Sequence, residues 1–347
     1  MNNTSSQSNP ASKRIDYLDL LKGAAILWIV WYHQPHPAFV DHYYHVPIFF
    51  FVSGILYKQK EFTHHILGIL WHIIIPFIFF YLISYCFQIV RFYFENQSLC
   101  NFEWKQIFDL FRKESYIDHL LINRPLWFLI SLAEIQILYF IIGRLPKIAI
   151  LSLCLAILIA KEYILSWQTY FLLNQSVYWL TYYALGDIVG KRLVNCNNQI
   201  ENPLFSKYSY ATLDNKHSKY AVIILLIAIY VVIRLSSHFI SNSFLISILY
   251  EMEVFSFVLI SILTFSCFKA KSTIAKCLLY YGKNSLIVLG IHIPLTIIYG
   301  GILFRLFGIT GNIWIGLAIF ILVIITLIPL IYLLRKYFYR CVGVKAS

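Results

Sequence analysis

The sequence predicts an all-α fold: a polytopic membrane bundle of about ten transmembrane helices with both termini cytoplasmic. Three observations predict it. Of the 347 residues 60% are hydrophobic and 13% charged, with a mean hydropathy of +0.71. A water-soluble domain carries roughly 25% charged residues, so this chain cannot cover itself with polar surface. Apolar runs of membrane-spanning length recur, and they are continuous rather than alternating, which excludes a membrane β-barrel. When the runs are threaded back and forth from a cytoplasmic start, twenty of the 28 Lys and Arg fall inside and eight outside. That bias favours an even number of crossings. The net charge of +12 is thus an orientation signal and does not point to nucleic acid.

Residues 1–18 form a polar, Ser/Asn-rich cytoplasmic tail expected to be disordered, with Lys13 and Arg14 leading into the first span. No small-residue cleavage site follows, so that span is retained. Helices are expected near 20–40, 46–57, 66–90, 125–143, 148–166, 168–190, 219–238, 244–268, 284–303 and 312–334. The second is short and is expected to tilt, break or re-enter. The segment 91–124 lies outside, with a helical stretch around Trp104 to Lys113; the polar segment 191–219 lies inside. One membrane domain therefore spans 19–338, and 339–347 is a second cytoplasmic tail. Seven scattered cysteines without a C-x-x-C pair support neither a disulfide framework nor a zinc site.

Ionisable groups at membrane depth are costly and mark functional positions. The first helix reads Asp19-Leu-Leu-Lys22-Gly, then His33. Eleven residues at ~100° each place Lys22 and His33 on nearly one face, ~16 Å apart along the axis. Asp19 precedes Lys22 by one turn on that face. The bland alternative is a snorkelling Lys and an interfacial His. The next segment, His45-Val-Pro47-Ile-Phe-Phe-Phe-Val-Ser53-Gly54, sets a histidine and a helix-breaking proline in an aromatic run. Proline at membrane depth frees backbone groups that protein or a cavity must satisfy.

These stretches resemble the opening of the acyltransferase-3 family of membrane O-acyltransferases, in the branch that includes sugar and polysaccharide O-acetyltransferases. Further matches follow in order: Arg124-Pro-Leu-Trp127-Phe-Leu, Ala184-Leu-Gly186, Gly282-Lys-Asn284-Ser285-Leu, and His292-Ile-Pro294. The resemblance covers nearly the whole chain. Lys22 departs from the Arg commoner in the family, keeping the charge but losing the bidentate fork. The chain carries no SGNH-type hydrolase segment, so the membrane unit is expected to do the chemistry itself.

The resemblance implies transfer of an acetyl (acyl) group from acetyl-CoA to a hydroxyl of a cell-surface glycan or glycolipid, in a multi-pass cell-membrane protein, the bacterial inner membrane being the expected site. No bound cofactor or metal is implied. His33 would act as general base or as transient acyl carrier, with Lys22 and Asp19 taking part from the far end of the same face. Lys22 could meet the donor's phosphate while the thioester sits near His33. Asn284, Ser285, Arg124 and Trp127 are candidate oxyanion donors, and His45, Ser53 and His292 candidate substrate contacts. Basic inside loops would draw the anionic donor.

Other signals weigh less. His36 and Asp41 match an H-x4-D motif of soluble acyltransferases in the wrong context, and His33, His36, His42 and His45 lack ligand-locking spacing for a metal. His64, His65 and His72 read as interfacial, most Trp and Tyr as membrane belt. Asp187 is placed to pair with Lys191. The rival reading is a transporter exporting a lipid-linked sugar or small anion; Pro47, Pro76, Pro294 and Pro329 lack the symmetric placement of inverted repeats. A third reading, an assembly protein without chemistry, predicts that glycan composition is indifferent to Lys22 and His33.

Overall fold

The computed structural model describes residues 16–35, 44–111, 120, 123–193, 216–268, 272–308 and 312–343. Among them the chain is all-helical, with no strand. The helices, in our numbering, are α1 (Asp16–Tyr32), α2 (His45–Ile55), α3 (Phe62–Asn96), α4 (Trp127–Ile142), α5 (Lys147–Ile159), α6 (Leu173–Leu185), α7 (Lys216–Ser236), α8 (Ser243–Cys267), α9 (Thr273–Lys283), α10 (Ser285–Phe307) and α11 (Ile313–Tyr337). Among the described residues six stretches are long and apolar enough to cross a membrane: Phe62–Asn96, Arg124–Ile142, Lys219–Ser236, Ser243–Cys267, Ser285–Arg305 and Ile313–Tyr337. The helices α2 and α5 are apolar but shorter.

Each expected segment contains a helix, but the expected 20–40 helix ends at Tyr32, with 36–40 outside the described residues, the 148–166 helix is interrupted at Ala160, the 168–190 helix begins only at Leu173, and α9 was expected as part of an inside loop. It is amphipathic, with Lys276 and Lys283 in eleven residues, so it lacks the continuous apolar run that marks a span. It packs along α1. Contact is close because a methyl group on Gly23 would overlap the Leu278 carbonyl and one on Gly282 the Asp19 carbonyl. Likewise α2 meets α6 through Gly54 against the Tyr183 carbonyl and Gly186 against that of Phe51. Small residues let membrane helices approach in this way.

Three prolines shape the interior. Pro47 stands in the first turn of α2, where its missing N–H has no intrahelical partner to lose; it starts the helix rather than breaking it. Pro76 cannot bond the His72 carbonyl, and α3 widens into a π turn over Leu70–Ile74, closed by the Ile75 N–H on the Leu70 carbonyl. Pro294 sits inside α10 and leaves the Gly290 carbonyl without its helical donor. The buried Asn123 supplies the replacement, donating from Nδ2 to Gly290 O at 2.8 Å and to Ser84 Oγ at 2.9 Å.

The segment after α3 includes a 3₁₀ helix at Trp104–Phe111, whose carbonyls accept from Tyr81 and Tyr85. The chain beyond α11 does not simply trail away: Val342 is fully buried, and Gly343 lies against Pro76 and His72. Residues 1–15, His36, Asp41 and His42 lie outside the described residues, as does most of the expected inside loop.

Candidate active site

Spacing on α1 dictates the site's long axis. Lys22 and His33 line one cavity of about 250 Å³, walled by α1, α2, the π turn of α3, α4 and the start of α10. His45, Ser53, His72, Trp127 and Ser285 supply its other polar side chains, and the rest of the wall is apolar. Such a lining, apolar with few convergent polar groups, is the usual make-up of a small-molecule site.

At one end, His33 follows the last residue of α1. Its ring Nδ1 lies 2.8 Å from the Ile29 carbonyl. A carbonyl can only accept, so Nδ1 carries the proton and the neutral ring keeps its Nε2 lone pair. His292 of α10 approaches edge-on, with ring centroids 5.2 Å apart. It is fully buried and its Nδ1 donates to the Val288 and Leu289 carbonyls at 3.0 Å; its Nε2 has no partner among the described residues. His45, buried at the first position of α2, lies 5.5 Å from the Tyr32 ring and 5.9 Å from Trp28. One residue on, Gln34 donates to Thr296 Oγ1 at 3.2 Å, tying the end of α1 to α10.

At the other end, Lys22 Nζ stands 2.6 Å from Asp19 Oδ1, and Asp19 is 3% exposed. Buried charge needs a partner. The pair is close to neutral as a unit, so Lys22 is not a spare cation. His72, exposed, also lines the cavity from the π turn of α3, and its Nδ1 lies 3.3 Å from the Gly343 carbonyl.

Of the other sequence candidates, Ser53, Trp127 and Ser285 reach the lining. Arg124 does not; it is exposed, and its neighbour Pro125 lines the cavity instead. Nor does Asn284, whose Nδ2 donates to the Tyr280 carbonyl at 2.7 Å and whose Oδ1 accepts from Arg335 at 3.0 Å. Asn123, which precedes the Arg124 stretch, and Asn284 thus stand off the lining, while Trp127 and Ser285 of the same stretches reach it.

Three carboxylates, Glu251 and Glu253 buried and Glu134 partly buried, were not singled out from the sequence, although an acid inside an apolar run is a signal in itself. Glu134 accepts from Ser176 at 2.5 Å. Glu251 takes Lys161 at 2.7 Å and the hydroxyls of Tyr178 and Tyr182 at 2.9 and 2.5 Å. Glu253 accepts from the Tyr44 hydroxyl, with Arg234 at 3.6 Å. Tyr44 stacks on Phe257 at 4.7 Å and directly precedes α2, so this cluster fixes the chain entry to His45. Asp187 pairs with Lys191 and accepts from Tyr139 at 2.7 Å. Tyr44, Tyr139, Tyr178 and Tyr182, all buried, thus serve as donors to acids and not as a membrane belt.

A family model described as an acyltransferase domain matches residues 15–334. No curated protein and no solved structure matches the chain.

Proposed function

The chain belongs to the acyltransferase-3 family, a multi-pass membrane acyltransferase, and from that premise we propose that it transfers an acetyl group from acetyl-CoA to a hydroxyl of a cell-surface glycan or lipid-linked sugar. The observation carrying this reading is the single cavity that joins Lys22 to His33 along one face of α1. Its length suits an extended thioester arm entering at the Lys22 end, taken as cytoplasmic from the charge bias. The acceptor enters from the histidine end.

A sugar hydroxyl is a poor nucleophile at neutral pH and needs a base. His33 Nε2 takes the hydroxyl proton as the oxygen attacks the thioester carbonyl. Side-chain donors on the lining, Trp127 and Ser285 among them, would serve the oxyanion in this scheme. The carbon–sulfur bond then breaks, and His33 returns the proton to the leaving thiolate, giving an acetyl ester and free CoA. The Ile29 carbonyl keeps Nδ1 protonated throughout, so the reacting tautomer is preset. His45 and Ser53 face the same space and contact the substrate in this scheme. Lys22, held by Asp19, orients the arm rather than neutralising a phosphate.

His33→Ala tests it. The expected result is loss of acetyl-mass increments from the surface glycan and no acetyl transfer by purified enzyme, with expression and monodispersity retained. Retained transfer discards the assignment. Loss of whole glycan units, not of acetyl groups, on deleting the gene supports export instead.

A further inference from the structure

The cavity is too small for a whole nucleotide-bearing thioester. About 250 Å³ falls below the roughly 300–1,000 Å³ of sites that enclose drug-sized ligands. Resting on the function proposed above, the donor's slender arm occupies the cavity and its phosphorylated end lies outside the Lys22 mouth. Something there must meet several negative charges, and Lys22 is already matched by Asp19.

Arg335, in the last turn of α11, is a cation beside Asn284, the neighbour of the cavity-lining Ser285. It is half-buried, and no carboxylate pairs with it among the described residues. Four other partly buried cations, Lys22, Lys161, Lys191 and Arg234, each have an acid. Arg335 is not loose either: one nitrogen donates to Asn284 Oδ1, and Asn284 is 3% exposed and anchored on Tyr280. That bond uses one of five guanidinium donors and holds the fork one residue from Ser285, which lines the cavity with Lys22. A planar fork with spare donors matches phosphate bidentately, which an ammonium cannot do.

We propose that Arg335, braced by Asn284, binds a phosphate ester of the acyl donor's nucleotide end, outside the Lys22 mouth of the cavity. An anionic lipid headgroup offers the same chemistry, so the test separates the two sources. Wild-type and Arg335→Gln enzymes are compared in nanodiscs of zwitterionic or anionic lipid, with acetyl-CoA and with acetylpantetheine, which has the arm and thioester but no nucleotide. The expected result is a KM for acetyl-CoA raised on the order of 10- to 100-fold, with kcat retained and the KM for acetylpantetheine unchanged in both lipids. Arg335→Lys should recover part of the loss, and should it alone fold, the same donor-selective rise, smaller, is read from it. An equal effect on both donors, or an effect confined to anionic nanodiscs, overturns the proposal in favour of a structural or lipid role. Wild-type KM for acetyl-CoA in the variant overturns it outright. Failure of the wild-type enzyme to use either donor would instead refute the acetyl-transfer reading on which it rests.

Discussion

A proline in a membrane helix leaves a carbonyl to be satisfied, and at Gly290 a single side chain does so. The energetic consequence can be isolated. Asn123→Ala strands the Gly290 carbonyl and should lower stability by about 1–3 kcal/mol, read as a fall in melting temperature in detergent. In a Pro294→Ala background the helix recovers its own N–H donor, so the same Asn123 change should cost clearly less. Equal costs in the two backgrounds would disprove the repair. Residues of this kind were hard to see in the sequence, because Asn123 and Gly290 are joined only through the fold. Lys22 and His33 were legible for the opposite reason: both lie on one helix, where spacing alone sets their shared face. Arg124 and Asn284 carried the family pattern but stand off the cavity wall, and a pattern does not say which neighbour faces inward.

At the scale of the element, glycine contacts hold the helices that carry the site. Gly23→Ala or Gly282→Ala would push α1 off α9 and should cost about 1–3 kcal/mol or more through overpacking. Gly68→Ala, on α3 with nothing within 4 Å of the added methyl group, should be neutral or gain about 0.5–1 kcal/mol. Thermal melts of the three variants decide the matter; equal melting temperatures would mean that the α1–α9 contact is not as close as described. Long apolar runs made α3, α8, α10 and α11 readable at once, whereas α9 hid among lysines. The π turn was equally hidden. Pro76 is plain in the sequence, but whether a helix kinks, breaks or widens at a proline depends on its neighbours.

For the whole molecule, the helices define two ends. Lys60 follows α2 at the Lys22 end, while Trp167 lies beyond the Lys161–Glu251 cluster, two residues along α8 from the Glu253–Tyr44 contact that adjoins His45. Threading by charge places these ends on opposite sides of the membrane. In a cysteine-free background, Lys60→Cys should react with an impermeant maleimide only after the cells are opened, and Trp167→Cys should react in intact cells. Labelling of both from one side would sink the threading. The all-α class and the recurrent apolar spans were legible because the bilayer imposes length and composition; the polar clusters that lock α6, α8 and the entry to α2 were not, since they join residues far apart in the chain.

Eleven residues of α1 act as a ruler. Between Lys22 and His33 the helix advances ~16 Å, and Gly23 clamps its lower graduations to α9. An enzyme built on such a gauge selects carriers by reach as well as by charge. Adding one residue within that interval would swing the upper mark by ~100° and shift it ~1.5 Å, turning the imidazole out of the channel even though every side chain of the set is still present.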